Sequence, residues 1–308
     1  MITLVVPTRN RAHTLRRVAP SYFEQDLVTE IIFVNDAGND QTTEVVHGIS
    51  ALSPHIALVV IENAERQGAS RSRNIGVDRA SNEYILFVDD DEYLEAGYAR
   101  VCLAKLRADP SLGAVSGRRV YMMDSETPGE ALARFGTGLR GGPTFRPILC
   151  EYVNGARFEG DIQQPITNAV ILTSRDLLLK HPFDGFYARG NGYREETDFQ
   201  MQIFTLGYRI GVTNDVHSIH LPASQTRQGG QRVRKWDRIY WSIYYTKYFY
   251  DKFFTAYARQ INLRCPKNVS LALFSCFVVY RELLRPSLHA WAMTVLARQR
   301  IISRPRQI

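Results

Sequence analysis

The chain has only four cysteines, Cys102, Cys150, Cys265 and Cys276, scattered over 308 residues with no Cys-x-x-Cys pair. They are too few and too widely spaced for a disulfide framework, and a cysteine zinc site is not expected. No run of 18 apolar residues exists, so no ordinary membrane span is expected. The first residues, Met1-Ile2-Thr3-Leu4-Val5-Val6-Pro7, lack a basic leader region and read as a strand rather than a signal peptide. A cytoplasmic location is the resulting expectation. There is no internal repeat and no low-complexity tract. The composition, 45% hydrophobic and 22% charged, excludes a collagen, a coiled-coil rod and wholesale disorder. The length allows one large domain, or one domain with an appendage.

Charge is spread unevenly. Residues 1–222 hold 22 basic against 28 acidic side chains, a net of −6, whereas residues 223–308 hold 16 against 3, a net of +13. Such a split predicts two regions with different partners. In the first region, Val/Ile-rich runs at 3–6, 30–35, 57–63, 84–89, 114–122 and 168–173 alternate with helix-length segments near 11–24, 40–49, 70–81 and 96–108. Near-continuous apolar runs suit strands buried on both faces. Their alternation with helices predicts an α/β fold with a mainly parallel sheet and right-handed crossovers. Gly and Pro gather in 136–147, which reads as a loop.

In open parallel sheets, ligands bind outside the carboxyl ends of the strands. Three polar groups fall at such ends: Pro7-Thr8-Arg9-Asn10, Asn35-Asp36, and Asp89-Asp90-Asp91-Glu92. Four consecutive acids repel one another unless they share a cation. Carboxylate oxygens suit Mg²⁺ or Mn²⁺, which typically bridges one or two carboxylates to substrate phosphates.

Five segments in order resemble the inverting family 2 glycosyltransferases of the GT-A fold. They are Val6-Pro7-Thr8-Arg9-Asn10-Arg11, Ile32 to Asp40, Gln67 to Gly76, Phe87-Val88-Asp89-Asp90-Asp91, and Arg194-Glu195-Glu196-Thr197-Asp198-Phe199. The resemblance covers roughly residues 2–222. It implies a GT-A nucleotide-diphospho-sugar transferase sheet, with the donor held by Pro7, Thr8, Arg9, Asn10, Asp36, Arg73, Asp89 and Asp90. Asp36 would accept from a nucleobase imide N–H, which favours a UDP- or dTDP-sugar. Asp89 and Asp91 match the ends of the family's DXD motif, with Asp89 toward the ribose and Asp91 on the metal. The Ile219-His220-Leu221 context makes His220, rather than His217, the further metal ligand. Glu196 takes the position of the catalytic base, with Glu195 and Asp198 as alternatives. The reaction implied is metal-assisted sugar transfer to an acceptor hydroxyl with inversion, in polysaccharide or glycolipid synthesis.

The character changes at Leu221-Pro222. Residues 223–234 are polar and basic; residues 225–234 are expected to close over the donor and to offer Arg227, Arg232 and Arg234 to its phosphates. Between Trp236 and Tyr257 stand 11 of the 34 aromatic residues, with an i, i+4 recurrence that predicts a helix. The tail beyond carries Arg298, Arg300, Arg304 and Arg306. Residues 223–308 therefore read as a basic helical C-terminal region after a catalytic domain of residues 1–222. Arginines mixed with Trp and Tyr predict an anionic membrane surface, with packing of the aromatics against the catalytic domain or across a homodimer as the competing use. A nucleotidyltransferase is the rival enzyme, but its usual glycine-rich loop after the first strand is missing here. Binding of single-stranded nucleic acid is the rival of another class, without a readable motif to support it.

Overall fold

The computed structural model describes residues 1–136 and 142–285. The elements run β1 (Ile2–Thr8), α1 (Ala12–Val18), α2 (Pro20–Phe23), β2 (Val28–Asn35), α3 (Thr42–Ser50), β3 (Ala57–Glu62), α4 (Ala69–Arg79), β4 (Tyr84–Phe87), β5 (Glu92–Leu94), α5 (Tyr98–Ala108) and β6 (Leu112–Tyr121). They continue with α6 (Pro128–Gly136), β7 (Phe145–Arg146), β8 (Glu151–Tyr152), β9 (Asp161–Gln164), β10 (Leu172–Ser174), α7 (Arg175–Lys180), a 3-10 turn at Gly185–Ala188, α8 (Glu195–Thr205), β11 (Arg209–His220), α9 (Lys235–Gln260), and α10 (Lys267–Val279).

One sheet organises the molecule, in the order β3-β2-β1-β4-β10-β6-β11-β5, with β9 on β11. β1 to β4 pair in parallel, as do β6 and β11. β10 runs antiparallel to both of its neighbours. The apolar runs in the sequence have their explanation here, because both faces are covered. Leu4 and Val6 of β1 join a core with Leu15, Tyr22, Val46 and Tyr98 from α1, α2, α3 and α5. Val5 points the other way, to Val77, Phe199 and Ile203 of α4 and α8. At Gly76 the helix α4 lies so close to β1 that a Cβ would stand 2.4 Å from Val5 Cγ1.

The aromatic run forms the long helix α9, and its rings divide by face. Phe249, Tyr250, Phe253, Phe254 and Tyr257 are buried, sharing a core with Met201 of α8, Ile166, Cys150 and Tyr152, and Tyr245 is buried against Tyr187. Burying one such side chain stabilises the fold by about 1.5–3 kcal/mol. These rings are therefore structural and not free for a membrane surface. Trp236, Tyr240 and Tyr244 remain exposed. No helix among the described residues is long and apolar enough to cross a membrane. The basic tail at 298–306 and part of the Gly/Pro-rich stretch lie outside the described residues.

Candidate active site

The carboxyl ends of β1, β2 and β4 deliver three loops to one edge of the sheet. After β2, Ala37 adopts a left-handed conformation (φ 52°). The Gly38 N–H donates to Asn35 Oδ1 at 3.1 Å, in a turn so tight that a Cβ at 38 would stand 2.3 Å from that oxygen. Asp36 is thereby turned toward α4. Its Oδ1 accepts from Asn63 Nδ2 at 3.0 Å and the Gln67 N–H at 2.6 Å, and its Oδ2 accepts from the Gly68 N–H at 2.9 Å. After β4, the four acids are fixed from beneath by Tyr22, whose hydroxyl donates to the carbonyls of Asp89 and Glu92 at 2.8 Å each.

Each acid then meets its own counter-charge. Asp89 pairs with Arg73 at 3.0 Å and Arg119 at 3.3 Å. Glu92, fully buried, is paired with Arg119. Asp90 and Asp91 each lie 3.5 Å from Arg11. Burial pushes the Asp90 carboxyl up to about 7 even though Arg11 pulls the other way. Arg11 stood in the first motif segment without an assigned role, and Arg119 lay outside the motifs. One signal was available: Arg118-Arg119 stands inside an otherwise apolar strand, and a charge buried there needs a carboxylate partner.

α8 brings the second set of acids. Its first turn carries Glu195 and Glu196, which the positive end of the helix dipole favours. Glu195 is engaged by Arg73 and by Ser70 Oγ at 3.1 Å. Glu196 differs: no other residue among those described pairs with its carboxylate, whose contact is with its own backbone N–H. Burial raises its pKa above the ordinary value; Arg73 opposes this and Asp89 adds to it. Asp198 turns the opposite way. It is fully buried, holds Lys252 Nζ of α9 at 2.7 Å, accepts from the Tyr187 hydroxyl at 2.7 Å, and lines neither cavity of the site. Its position on the inner face of α8 joins that helix to α9 through Lys252.

Two cavities meet at Glu195, Glu196 and Gln231. One, about 280 Å³, is lined by Pro7, Thr8, Arg9, Asp36, Arg73 and Asp89–Asp91, together with His220 and Arg232. The other, about 270 Å³, is lined by polar groups including Asn154, Thr167, Asn168, Asn191 and Arg281. Of the expected donor residues only Asn10 stays out of the first cavity. Its own left-handed backbone (φ 54°) aims its side chain at the Asn39 N–H, 2.7 Å away. Residues 225–231 cover the first cavity's rim through the Gly230 N–H, which donates to the Arg9 carbonyl at 2.9 Å. Of the three arginines expected there, Arg232 reaches the cavity and Arg227 and Arg234 do not.

Asp91, Glu92 and His220 offer ligand atoms within 4.8 Å of one another. His220 Nδ1 lies 2.5 Å from the Leu221 carbonyl and donates to it. In the neutral imidazole this leaves the Nε2 lone pair facing Asp91 Oδ1 at 3.5 Å. Two acceptors facing each other across such a gap fit a divalent cation. His217 is elsewhere, held by Glu95 at 2.7 Å.

A parallel-sheet nucleotide fold of the GT-A type, with clustered acids at its strand ends and a lone carboxylate between two cavities, defines a group-transfer enzyme. The sequence profile of glycosyl transferase family 2 matches residues 3–161, about half of the chain, and the chain belongs to that family. Glycosyltransferase GlyA of Streptococcus pneumoniae is 33% identical over 116 residues, 36% of this chain and 16% of its own length. The GalNAc(5)-diNAcBac-PP-undecaprenol beta-1,3-glucosyltransferase of Campylobacter jejuni is 32% identical over 105 residues, 34% of each chain. The matches thus span about a third or less of these relatives. Among solved structures, S. aureus TarS 1-349 with UDP-GlcNAc superposes with a TM-score of 0.57 at 16% identity, over 91% of this chain and 72% of that one. The mannosyltransferase PcManGT from Pyrobaculum calidifontis, in complex with GDP-Man and Mn²⁺, gives 0.56 at 20% identity, over 99% and 81%.

Proposed function

We propose that this chain transfers a sugar from a UDP- or dTDP-sugar to an acceptor hydroxyl with inversion, in polysaccharide or glycolipid synthesis. The observation that carries the reading is Glu196, a carboxylate that no other described side chain hydrogen-bonds or ion-pairs, on the wall between the two cavities. The cavity at the strand ends receives the donor. Pro7, Thr8 and Arg9 flank its nucleotide, and Oδ2 of Asp36, with one protein donor, accepts from the base imide. Arg73 and Asp89 orient the ribose side. The polar cavity beyond Glu196 receives the acceptor. Glu196 takes the acceptor proton as the hydroxyl attacks the anomeric carbon from the face opposite the diphosphate, and Glu195, held by Arg73 and Ser70, fixes the helix turn that presents it. Asp91 and His220 would hold a divalent ion, Mg²⁺ or Mn²⁺, which supplies charge stabilisation to the departing diphosphate.

Relatives named as a glucosyltransferase acting on a PP-undecaprenol-linked saccharide and as a poly-beta-1,6-N-acetyl-D-glucosamine synthase support the acceptor class. The exposed Trp236, Tyr240 and Tyr244 beside Arg234, Lys235 and Arg238 fit contact with an anionic membrane, where such an acceptor resides. The deciding experiment is a donor screen: turnover of UDP-, dTDP-, GDP- and ADP-sugars with Mg²⁺ or Mn²⁺, with NMR of the product anomer. Preference for a uracil or thymine nucleotide and an inverted anomer is expected. A retained anomer refutes the single displacement, and equal use of all bases removes Asp36 from the base pocket. Sedimentation with anionic vesicles tests the membrane contact separately.

A further inference from the structure

The side chain of Arg11 is 4% exposed and sits against the acids that the reaction site is built on. Its three nitrogens face three different groups. Nε lies 3.5 Å from Asp90 Oδ1, one terminal nitrogen lies 3.5 Å from Asp91 Oδ2, and the other donates to the Thr226 carbonyl at 3.2 Å. Asp91 is therefore divided: Oδ2 faces Arg11, while Oδ1 faces the Nε2 of His220 across the 3.5 Å gap. The guanidinium does not fill that gap. It stands behind the carboxylate that borders it, with Arg232 also lining the cavity. Gly230 packs over it so closely that a Cβ there would lie 2.8 Å from the terminal nitrogen facing Asp91. The charge is thus fixed in place by the chain.

We propose that Arg11 is the resident counter-ion of the Asp90–Asp91 pair and makes divalent-cation binding at Asp91 and His220 conditional on the donor diphosphate. The inference rests on the metal reading given under Proposed function. In the nucleotide-free enzyme the arriving dication meets two carboxylates already partly offset by a buried positive charge held between them and the Thr226 carbonyl. The diphosphate brings negative charge into the same cavity and reverses that balance. Metal and nucleotide then bind as a pair, and neither is held well alone.

The test uses the full chain, freed of metal, and Mn²⁺ titrated by electron paramagnetic resonance with and without saturating UDP or GDP. Protein-free controls correct for the Mn²⁺–nucleotide complex. Wild type is expected to bind Mn²⁺ at least about 100-fold more tightly with a nucleotide present. R11Q should bind Mn²⁺ alone at least about tenfold more tightly than wild type, the effect of one unit charge on a dication about 6 Å away even at a water-like dielectric. R11K, which keeps the charge, should stay near wild type. Melting curves show whether R11Q is folded; if it is not, the wild-type ratio and R11K decide. Equal Mn²⁺ affinity with and without nucleotide in wild type overturns the proposal, as does an R11Q that binds Mn²⁺ alone no better than wild type. Mn²⁺ that binds under none of these conditions refutes the metal reading itself, and the proposal with it. Full turnover in the presence of EDTA identifies that case independently.

Discussion

Replacing Glu196 by Gln and, separately, Glu195 by Gln separates catalysis from architecture at neighbouring positions. Glu196 has no partner to lose among the described residues, and burial already disfavours its charged form. The amide keeps the shape and removes the proton acceptor. A general base is worth about 10²–10⁴ in rate, or about 2.7–5.5 kcal/mol of barrier. Turnover should fall by that factor while donor binding and stability stay within about 0.5 kcal/mol of wild type. Glu195→Gln works on a different quantity. Arg73 is 3% exposed and is held by Glu195 on one side and Asp89 on the other. Removing one partner of a buried ion pair costs about 3–5 kcal/mol, and the amide recovers part of this through its remaining oxygen, so about 2–3 kcal/mol of stability should be lost. Single-turnover kinetics with the best donor measure the first effect, and urea unfolding measures the second. If Glu196→Gln keeps more than about a tenth of wild-type turnover, the unpaired carboxylate is not the base. If both variants lose only stability, neither acid takes the proton.

His220→Ala and Asp91→Ala should each weaken Mn²⁺ binding in the presence of nucleotide by about tenfold or more, read by titration, since each removes one of few ligands. Unchanged affinity in both would move the metal elsewhere. Arg194 is buried with no carboxylate in salt-bridge contact among the described residues, stacked against Tyr193, Phe249 and Phe274 at 4.9–5.2 Å and donating to Leu149 and Cys150 carbonyls and Thr246. Arg194→Met strands those acceptors and should cost about 3–5 kcal/mol in denaturant unfolding; a loss under about 1 kcal/mol would refute its role as the pin between α8 and the C-terminal helices. The acidic limb of kcat/KM should lie above the ordinary glutamate value of 4.5, because Glu196 must be unprotonated to act and its pKa is raised. Stability carries the opposite sign. A raised carboxyl pKa contributes stability below the unfolded value that is lost as pH rises through the folded one, so Glu196→Gln should melt no lower than wild type at pH 8.

Much of this site was legible because the information is local. A strand that is buried on both faces must be apolar throughout, so Ile85–Val88 announces itself, and the acids that follow it mark a strand end facing solvent and ligand. Pro7, Thr8, Arg9, Asp36 and Asp91 are all read from such ends, and the structure gathers them around one cavity. Asn10, expected beside them, does not line that cavity: a left-handed residue re-aims its side chain to the Asn39 N–H, and the motif carries no record of that angle.

What the sequence determined alone was the α/β order, the strand-end clusters and the aromatic helix, since each depends on residues a few positions apart. Tertiary structure alone decided which charges meet. Arg73 reaches Glu195 across 122 positions and Lys252 reaches Asp198 across 54, and nothing in the spacing of either pair distinguishes it from its neighbours. Three acids stand in the first turn of α8, within one another's reach in sequence. Only the packing of α9 against the inner face of that helix ties up Asp198, and only the placing of Arg73 by α4 ties up Glu195, leaving Glu196 with no ion pair of its own among the described residues. A helix turn spreads adjacent side chains over different directions, and what each then meets is set by elements distant along the chain.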